Sequence, residues 1–425
     1  MIKIQRTIPP SASPVSLKNL LYGLSGMFFE KRFLKRLEDE IKECFGVRHV
    51  FFVSSGKAAL TLILNALKTL NQRQEALIPA YTCFSVPSAI VKAGLKVSLC
   101  DIDSQTFDFD YKLLEKAINK NTLCVIPNHL FGIPADMDKI NSICKDKDIF
   151  VIEDAAQAMG GSYKGSKLGT IGDVGFFSLG RGKNITCGSG GIIVTNSDTI
   201  AHAIEKEYAQ FDKPSAMEQI INFCKAILMS LFIHPSLYWF PSGLPFLKLG
   251  ETIFHKDFPI KKLSGMEAGL LNDWQRRLEE SNQIRKENAK LFYTFIAPSP
   301  LGGEGRGEGA IPYLRLPVLV NNKETRDKIF CLLQENGLGV SSMYPSPINE
   351  IAEIKHQFDG NMFPNSTRVS ETLLTIPTHQ FLSKKDKKEI YNLFHETYSN
   401  QPITNNGQIS VISNGKEAKS LQTNG

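Results

Sequence analysis

Three short stretches of this sequence carry residues able to do chemistry. The first is Gly175–Gly191, GFFSLGRGKNITCGSGG, which displays Lys183 in a run too rich in glycine to form a regular helix. Glycine lets a backbone take strained turns and approach a ligand closely. A partly buried lysine near a cation such as Arg181 has a depressed pKa and a free lone pair that condenses with aldehydes. Ser178, five residues earlier, offers a hydroxyl donor to a phosphate. The second stretch is Asp148–Gln157, DIFVIEDAAQ, where a strand ends at Ile152 and delivers Glu153, Asp154 and Gln157 beyond it. A carboxylate in that place keeps a pyridine nitrogen protonated, and a protonated ring is the better electron sink. The third is Phe51–Leu60, FFVSSGKAAL, with Ser54, Ser55 and Gly56 between a strand and a helix that starts near Lys57. Free N–H groups at a helix start hold phosphate. Taken singly, these are a solvated lysine, a helix-capping acid and a serine N-cap. Taken together they describe one ligand, pyridoxal phosphate (PLP), held as a Schiff base on Lys183.

Elements able to position such a site alternate regularly. Helical patterns at Phe33–Cys44, Lys57–Leu70, Ser85–Ala93, Tyr111–Ile118 and Ala135–Cys144 interleave with short apolar runs at His49–Val53, Glu75–Ile78, Lys96–Cys100, Thr122–Pro127 and Asp148–Ile152. Strict alternation of this kind predicts an α/β fold, a mostly parallel sheet sandwiched by helices. Ligands of such sheets lie outside the carboxyl ends of the strands, which is where the three stretches fall. Residues 262–295 read as one long helix. A smaller α+β C-terminal domain follows, with a strand at Tyr313–Leu319 and helices at Lys323–Asn336 and Lys384–Tyr398. The expected organisation is an N-terminal arm over 1–30, a cofactor-binding large domain over 31–261 with an apolar insertion at about 213–261, the long helix and small domain over 262–400, and a disordered tail over 401–425.

Composition excludes several functions. The 425 residues suffice for two domains and a cleft. The net charge of +6 is mild and forms no basic stripe interleaved with aromatics, so nucleic acid is not the expected partner. The eight cysteines include no C-x-x-C pair and no cluster with zinc spacing, so no metal site is expected. Free thiols inside apolar runs, such as Cys124, fit a reducing cytosol, and the N-terminus lacks the layout of a signal peptide; the expected location is cytoplasmic. Two segments stand apart. Pro298–Gly309, PSPLGGEGRGEG, reads as a solvated loop, since no strand leads into it and no apolar helix leaves it. Ala226–Leu247 contains no Asp, Glu, Lys or Arg over the length of a membrane span, yet Pro235, Pro241, Gly243 and Pro245 interrupt it. Packing within the protein or on a second subunit is the first reading of this segment; a peripheral membrane contact through Tyr238, Trp239 and Phe240 is the second.

In their order and spacing the three stretches resemble the DegT/StrS-type (DegT/DnrJ) family of PLP-dependent sugar aminotransferases, of the aspartate-aminotransferase fold type I. The family's S-G-T-A-A-L after a strand is SGKAAL at Ser55–Leu60, its E-D-A-A-Q stands unchanged at Glu153–Gln157, and its lysine between a serine and G-E-G-G is matched by Ser178, Lys183 and Gly188–Gly191. Pro79–Thr82 (PAYT), His129–Asp138 (HLFGIPADMD), RKENAKLF from Arg285 and Pro377–His379 (PTH) extend the likeness over roughly residues 30–400. The resemblance implies a homodimer that moves an amino group from an amino acid, glutamate by analogy, to a keto sugar, with Lys183 as Schiff-base residue and proton carrier. It implies Asp154 at the pyridine nitrogen, Gln157 at the ring, and Ser178, Ser55, Gly56 and Lys57 at the phosphate. Cys83 and Phe84 fall where the family stacks an aromatic ring, and His129 and Tyr344 fall on the substrate side. Members that dehydrate carry histidine in place of the lysine, so Lys183 implies transamination. Several positions depart from the family pattern: Cys83, Ser189 in G-S-G-G, Ile260–Lys262 in place of N-x-R, and Asn349 in YPSPIN. These departures bear on the acceptor. A lipid-linked or non-sugar keto substrate, or a non-catalytic regulatory role, is the alternative.

Overall fold

A computed structural model describes residues 4–247, 249–250, 252–296, 309–399 and 410–411. Twelve strands are numbered in chain order. The first nine are β1 (His49–Val53), β2 (Glu75–Pro79), β3 (Lys96–Cys100), β4 (Thr122–Val125), β5 (Phe150–Asp154), the hairpin β6 (Ser162–Tyr163) and β7 (Ser166–Lys167), β8 (Val174–Ser178) and β9 (Gly191–Thr195). The last three are β10 (Arg315–Leu319), β11 (Leu373–Pro377) and β12 (Ser410–Val411).

Seven strands form the main sheet in the order β1-β9-β8-β5-β4-β2-β3. β8, β5, β4, β2 and β3 pair in parallel, and β9 runs antiparallel to both β8 and β1. The mostly parallel α/β sheet expected from the alternating pattern is therefore present. Both faces are covered, which is why the strands read as continuous apolar runs rather than alternating ones: Thr122–Val125 and Gly191–Thr195 are buried at every position. The Gly56–Leu70 helix is buried over Ala58–Leu64, packed between the sheet and its neighbouring helices.

The single helix expected over 262–295 is instead three pieces. Lys262 forms a bridge with Val53, and Ser264 with Glu267 makes a capping box that starts a short helix, Gly265–Leu270. Asp273 takes a left-handed φ of 57°, and the long helix runs from Trp274 to Ile296. Pairing with the end of β1 draws Lys262 out of the helical pattern. In a second, three-stranded sheet β10 lies between β11 and β12, antiparallel to both. Ser410 and Val411 are thus in a strand; the rest of the tail read as disordered, and the Pro298–Gly309 loop apart from Gly309, lie outside the described residues.

The N-terminal segment from Ile8 onward is folded in. Ile8 and Ala12 are buried, and Leu17–Phe28 forms a helix packed on Gly265–Leu270. The apolar insertion consists of helix Ala216–Phe232, a turn of helix at Trp239–Ser242 and a 3-10 turn at Pro245–Leu247. The first of these ends just before Pro235, as a residue without an N–H and with fixed φ requires. No helix among the described residues is long and apolar enough to cross a membrane. Ala226 is buried, while Leu228 and Leu231 on the same helix are exposed.

Candidate active site

The carboxyl ends of β1, β4, β5 and β8 converge, and each delivers one part of the site. At the end of β5, Asp154 is buried, with Oδ2 accepting from the Asn128 Nδ2 amide at 2.7 Å and Oδ1 from the Ala156 N–H at 3.0 Å. Burial raises its pKa, against the pull of the Ala156 N–H, Lys183, His129 and Asn128. Lys183 follows Gly182, whose φ of +73° is left-handed and suits glycine. The ammonium form of Lys183 is disfavoured: burial lowers the pKa and Arg315 lowers it further, while Cys83 and Asp154 oppose. Its amine makes no ion pair or hydrogen bond among the described residues, so it is available as a nucleophile.

The phosphate end is built from β1 and β8. Ser55 caps the Gly56–Leu70 helix, its Oγ accepting from the Ala58 N–H at 3.1 Å, so the plain N-cap reading of this serine holds locally. The Gly56 and Lys57 N–H groups ahead of it donate to no partner among the described residues, which leaves an anion site at the helix start. A Cβ on Gly56 would stand 3.0 Å from the Ser178 Cβ and 3.2 Å from its Oγ, so glycine brings backbone and hydroxyl to one spot. Ser189, which replaces the glutamate of the family pattern, donates its Oγ to the Ser54 carbonyl at 2.6 Å and ties the glycine-rich loop to this turn. The Lys57 ammonium lies 4.6 Å from the Phe258 ring centroid, and burial lowers its pKa.

On the ring side, Gln157 is fixed at both ends: Oε1 accepts from the Phe131 N–H at 3.2 Å, and Nε2 donates to the Tyr344 hydroxyl at 2.9 Å. Tyr344 is buried against Tyr81 and stacks on Phe84 at 6.5 Å between centroids. Phe84 therefore faces Tyr344. Cys83, half-buried, lies near Lys183 and Tyr344. The substrate contact expected of His129 is not what the structure displays. Its ring is wholly buried, with Nδ1 accepting from the Ala135 N–H at 3.1 Å and Nε2 donating to Glu153 at 2.8 Å. Glu153 in turn accepts from the backbone N–H groups of Gly169, of Ile171 at 2.7 Å and of Gly172 at 3.0 Å. Burial pushes the Glu153 carboxyl up, but His129 and the Gly169 and Gly172 N–H groups outweigh it and hold the pKa below the ordinary value. His129 and Glu153 thus hold a loop beside the site.

Four residues absent from the sequence-based set belong to this neighbourhood. Asn128 orients Asp154 and also donates to Thr82 Oγ at 3.1 Å. Ser11 donates its Oγ to the Gly182 carbonyl at 2.8 Å, so the N-terminal arm lies across the Lys183 loop. The RKEN and PTH stretches anchor that arm: Arg285 donates to the Ala12 carbonyl at 2.6 Å and the Leu314 carbonyl at 2.8 Å, and His379 Nε2 donates to the Pro9 carbonyl at 2.7 Å. Burial holds His379 neutral, its pKa pushed down to about 3. Arg315 and Tyr238 complete the four. Position in the crevice after β4 was the available signal for Asn128; the other three are brought in by distant parts of the chain.

The model of the DegT/DnrJ/EryC1/StrS aminotransferase family matches residues 23–219 and 255–395, on both sides of the apolar insertion. The chain belongs to this family. Like its relatives, this DegT-family aminotransferase uses PLP. GDP-perosamine synthase of Vibrio cholerae is 24% identical over 85% of this chain and 89% of its own. The enzyme of that name from Escherichia coli O157:H7 is 35% identical over 62% of this chain and 68% of its own. Among solved structures, Helicobacter pylori PseC, an aminotransferase involved in pseudaminic acid biosynthesis, superposes with a TM-score of 0.74 at 17% identity, over 92% of this chain and 99% of that one. Streptococcus pneumoniae Spr1654, in its PMP form, gives 0.73 at 22% identity over 92% and 98%.

The residues present fit the cofactor. An unpaired buried amine, a buried carboxylate held by two donors, and a helix start with open N–H groups match an aldehyde, a pyridine nitrogen and a phosphate. PLP, when bound, supplies the electron sink that stabilises a carbanion. The protein's part is positional and electrostatic. Lys183 would hold the aldehyde and carry a proton at Nζ, for which a lowered pKa is suited. Asp154 would stand opposite the ring nitrogen, and Gln157 and Tyr344 would bound the ring edge.

Proposed function

We propose that this aminotransferase transfers an amino group from an amino acid, glutamate in the first instance, to a nucleotide-linked keto sugar in amino-sugar or cell-surface polysaccharide biosynthesis, with Lys183 and Asp154 as catalytic residues. The buried Lys183 amine, unpaired among the described residues and near enough to Asp154 for their charges to interact, carries the reading, and the names of the relatives support the sugar acceptor. Holoenzyme mixed with L-glutamate is expected to lose its visible absorbance band. A nucleoside-diphosphate keto sugar is then expected to restore it. Restoration by simple keto acids alone would reject the sugar.

Two further parts of the reading rest on exposed apolar surface. Leu17, Leu21, Leu24 and Phe28 are exposed on one stripe of the first helix, at the spacing of a helix face with a partner. This supports a homodimer, expected to sediment at twice the 47.3 kDa of the chain; a monomer at micromolar concentration would sink it. In the insertion, Leu228, Leu231, Phe240 and Phe246 are exposed, which favours, as a second reading, a peripheral membrane contact through Ala226–Leu247. Pelleting with anionic vesicles, lost in a Leu231→Glu, Trp239→Glu double variant, is the expected result. A wild type that stays in the supernatant excludes it.

A further inference from the structure

The loop that displays Lys183 has little backbone structure of its own. From Gly180 to Thr186 it belongs to no helix or strand, and its one internal backbone hydrogen bond among the described residues runs from the Lys183 N–H to the Gly180 carbonyl at 3.3 Å. Backbone groups left without such partners find them elsewhere, in water or in other parts of the fold. Two residues of the N-terminal arm supply them on either side of the lysine. Ser11 donates its Oγ to the Gly182 carbonyl at 2.8 Å, and Ser13 donates its Oγ to the Asn184 carbonyl, more loosely, at 3.5 Å. Both serines are buried, and neither carbonyl accepts from another group among the described residues. A Cβ on Gly182 would stand 3.4 Å from the Ser11 Cβ, so arm and loop backbone are in contact.

The arm is itself fixed along its length. Gly337 and Gly339, both at a left-handed φ of +68°, make room for it: their Cβ atoms would stand 2.5 Å from the Arg6 carbonyl oxygen and 2.6 Å from that of Ile8, respectively. The Ile8 N–H donates to the Gly337 carbonyl at 2.7 Å, and the Thr7 N–H to the Pro235 carbonyl of the insertion at 2.9 Å. Next along, His379 holds the Pro9 carbonyl and Arg285 the Ala12 carbonyl. Pro9, Pro10 and Pro14 fix φ at roughly −65° and narrow the freedom the arm loses on docking. A segment anchored at so many points presents Ser11 and Ser13 rigidly. Their hydroxyl protons go to backbone carbonyls, so they act on the chemistry through Lys183, whose backbone they hold on both sides.

We propose that Ser11 and Ser13 are positioning residues for Lys183, the arm acting as a clamp that keeps Nζ aimed while it carries a proton. The inference rests on the aminotransferase reading of Lys183. It adds a part of the chain that lies ahead of the family match, which begins at residue 23. Transfer at a fixed site depends steeply on placement, a shift of about 1 Å costing roughly 100-fold in rate. Loss of the clamp therefore acts on the chemical step, while the phosphate cradle at Gly56 and Ser178, which the clamp does not include, is kept.

A Ser11→Ala, Ser13→Ala double variant is compared with Ser11→Thr, which keeps a hydroxyl. In single-turnover absorbance measurements on holoenzyme with L-glutamate, the double variant is expected to lower the maximal rate by about 10- to 100-fold, with the half-saturating concentration unchanged within about twofold. Ser11→Thr is expected to stay near the wild type. Hydrogen-exchange mass spectrometry gives a reading independent of turnover: the amides of 180–186 are expected to exchange at least about tenfold faster in the double variant, with β5 and β8 at their wild-type rates. Faster exchange throughout the sheet would show a global loss of stability and overturn the local role. So would wild-type exchange at 180–186, an unaltered maximal rate, or a Ser11→Thr variant as slow as the double one. If the double variant does not fold, Ser11→Ala alone carries both measurements on the same criteria. A wild type with no visible band on adding PLP defeats the aminotransferase reading, whereas exchange at 180–186 still reads the clamp.

Discussion

Replacing Lys183 by alanine is expected to abolish the visible absorbance band of the holoenzyme and its trapping by borohydride, and to reduce transamination by roughly 1,000-fold or more. General acid–base catalysis alone contributes about 10²–10⁴-fold, and this substitution removes the covalent anchor as well. The Ser55, Gly56, Ser178 and Asp154 groups remain, so the variant is expected still to bind PLP, reversibly. Retention of the visible band would remove Lys183 from its role. A pH series sharpens the test. Burial lowers the Lys183 pKa from the usual 10.5, so the neutral amine is populated at lower pH than on a surface lysine. The rate of covalent capture of added PLP by apo-protein is expected to rise with pH and level off below 10.5. Arg315 contributes to that lowering, so Arg315→Gln is expected to move the levelling point upward. Capture that keeps rising through pH 10.5 would show an ordinary exposed amine.

The sheet and the site's centre were legible because apolar strands covered on both faces leave continuous runs, and because ligands gather at their carboxyl ends. Within those ends the period-two rule separates the roles, and the sequence-based assignment of His129 missed it. Neighbours on a strand point to opposite faces. Asn128 and Asp154 bridge in parallel on one side; His129 and Glu153 meet on the other. His129 therefore meets Glu153 and lies on the side away from the Asp154 carboxylate. The break at Asp273 was not legible, because a left-handed residue among good helix formers leaves no local mark. Nor was the arm's role. The Pro9 and Ala12 carbonyls find His379 and Arg285 across most of the chain, and no local pattern encodes such a pairing.

Asp154→Asn is expected to leave the visible band in place and slow transamination by roughly 10²–10⁴-fold. The exchange keeps the shape and removes the charge. Locally the cost is modest. Asp154 accepts from both Asn128 and Ala156, and an amide at this position presents one oxygen, so one of the two hydrogen bonds is lost; that is about 1 kcal/mol. The chemical cost is larger. A buried pyridinium that loses its carboxylate forfeits roughly 3–5 kcal/mol, and each 1.36 kcal/mol in a barrier is about tenfold in rate. Asn128→Ala separates orientation from charge. It leaves the Asp154 carboxylate with the Ala156 N–H and removes the donor that aims Oδ2, so its effect on rate is expected to be far smaller than that of Asp154→Asn. Near-normal turnover in Asp154→Asn would reject the carboxylate's electrostatic role. Equal losses in the two variants would instead make the geometry of the Asn128–Asp154 pair, rather than its charge, the quantity that the fold protects at the end of β5.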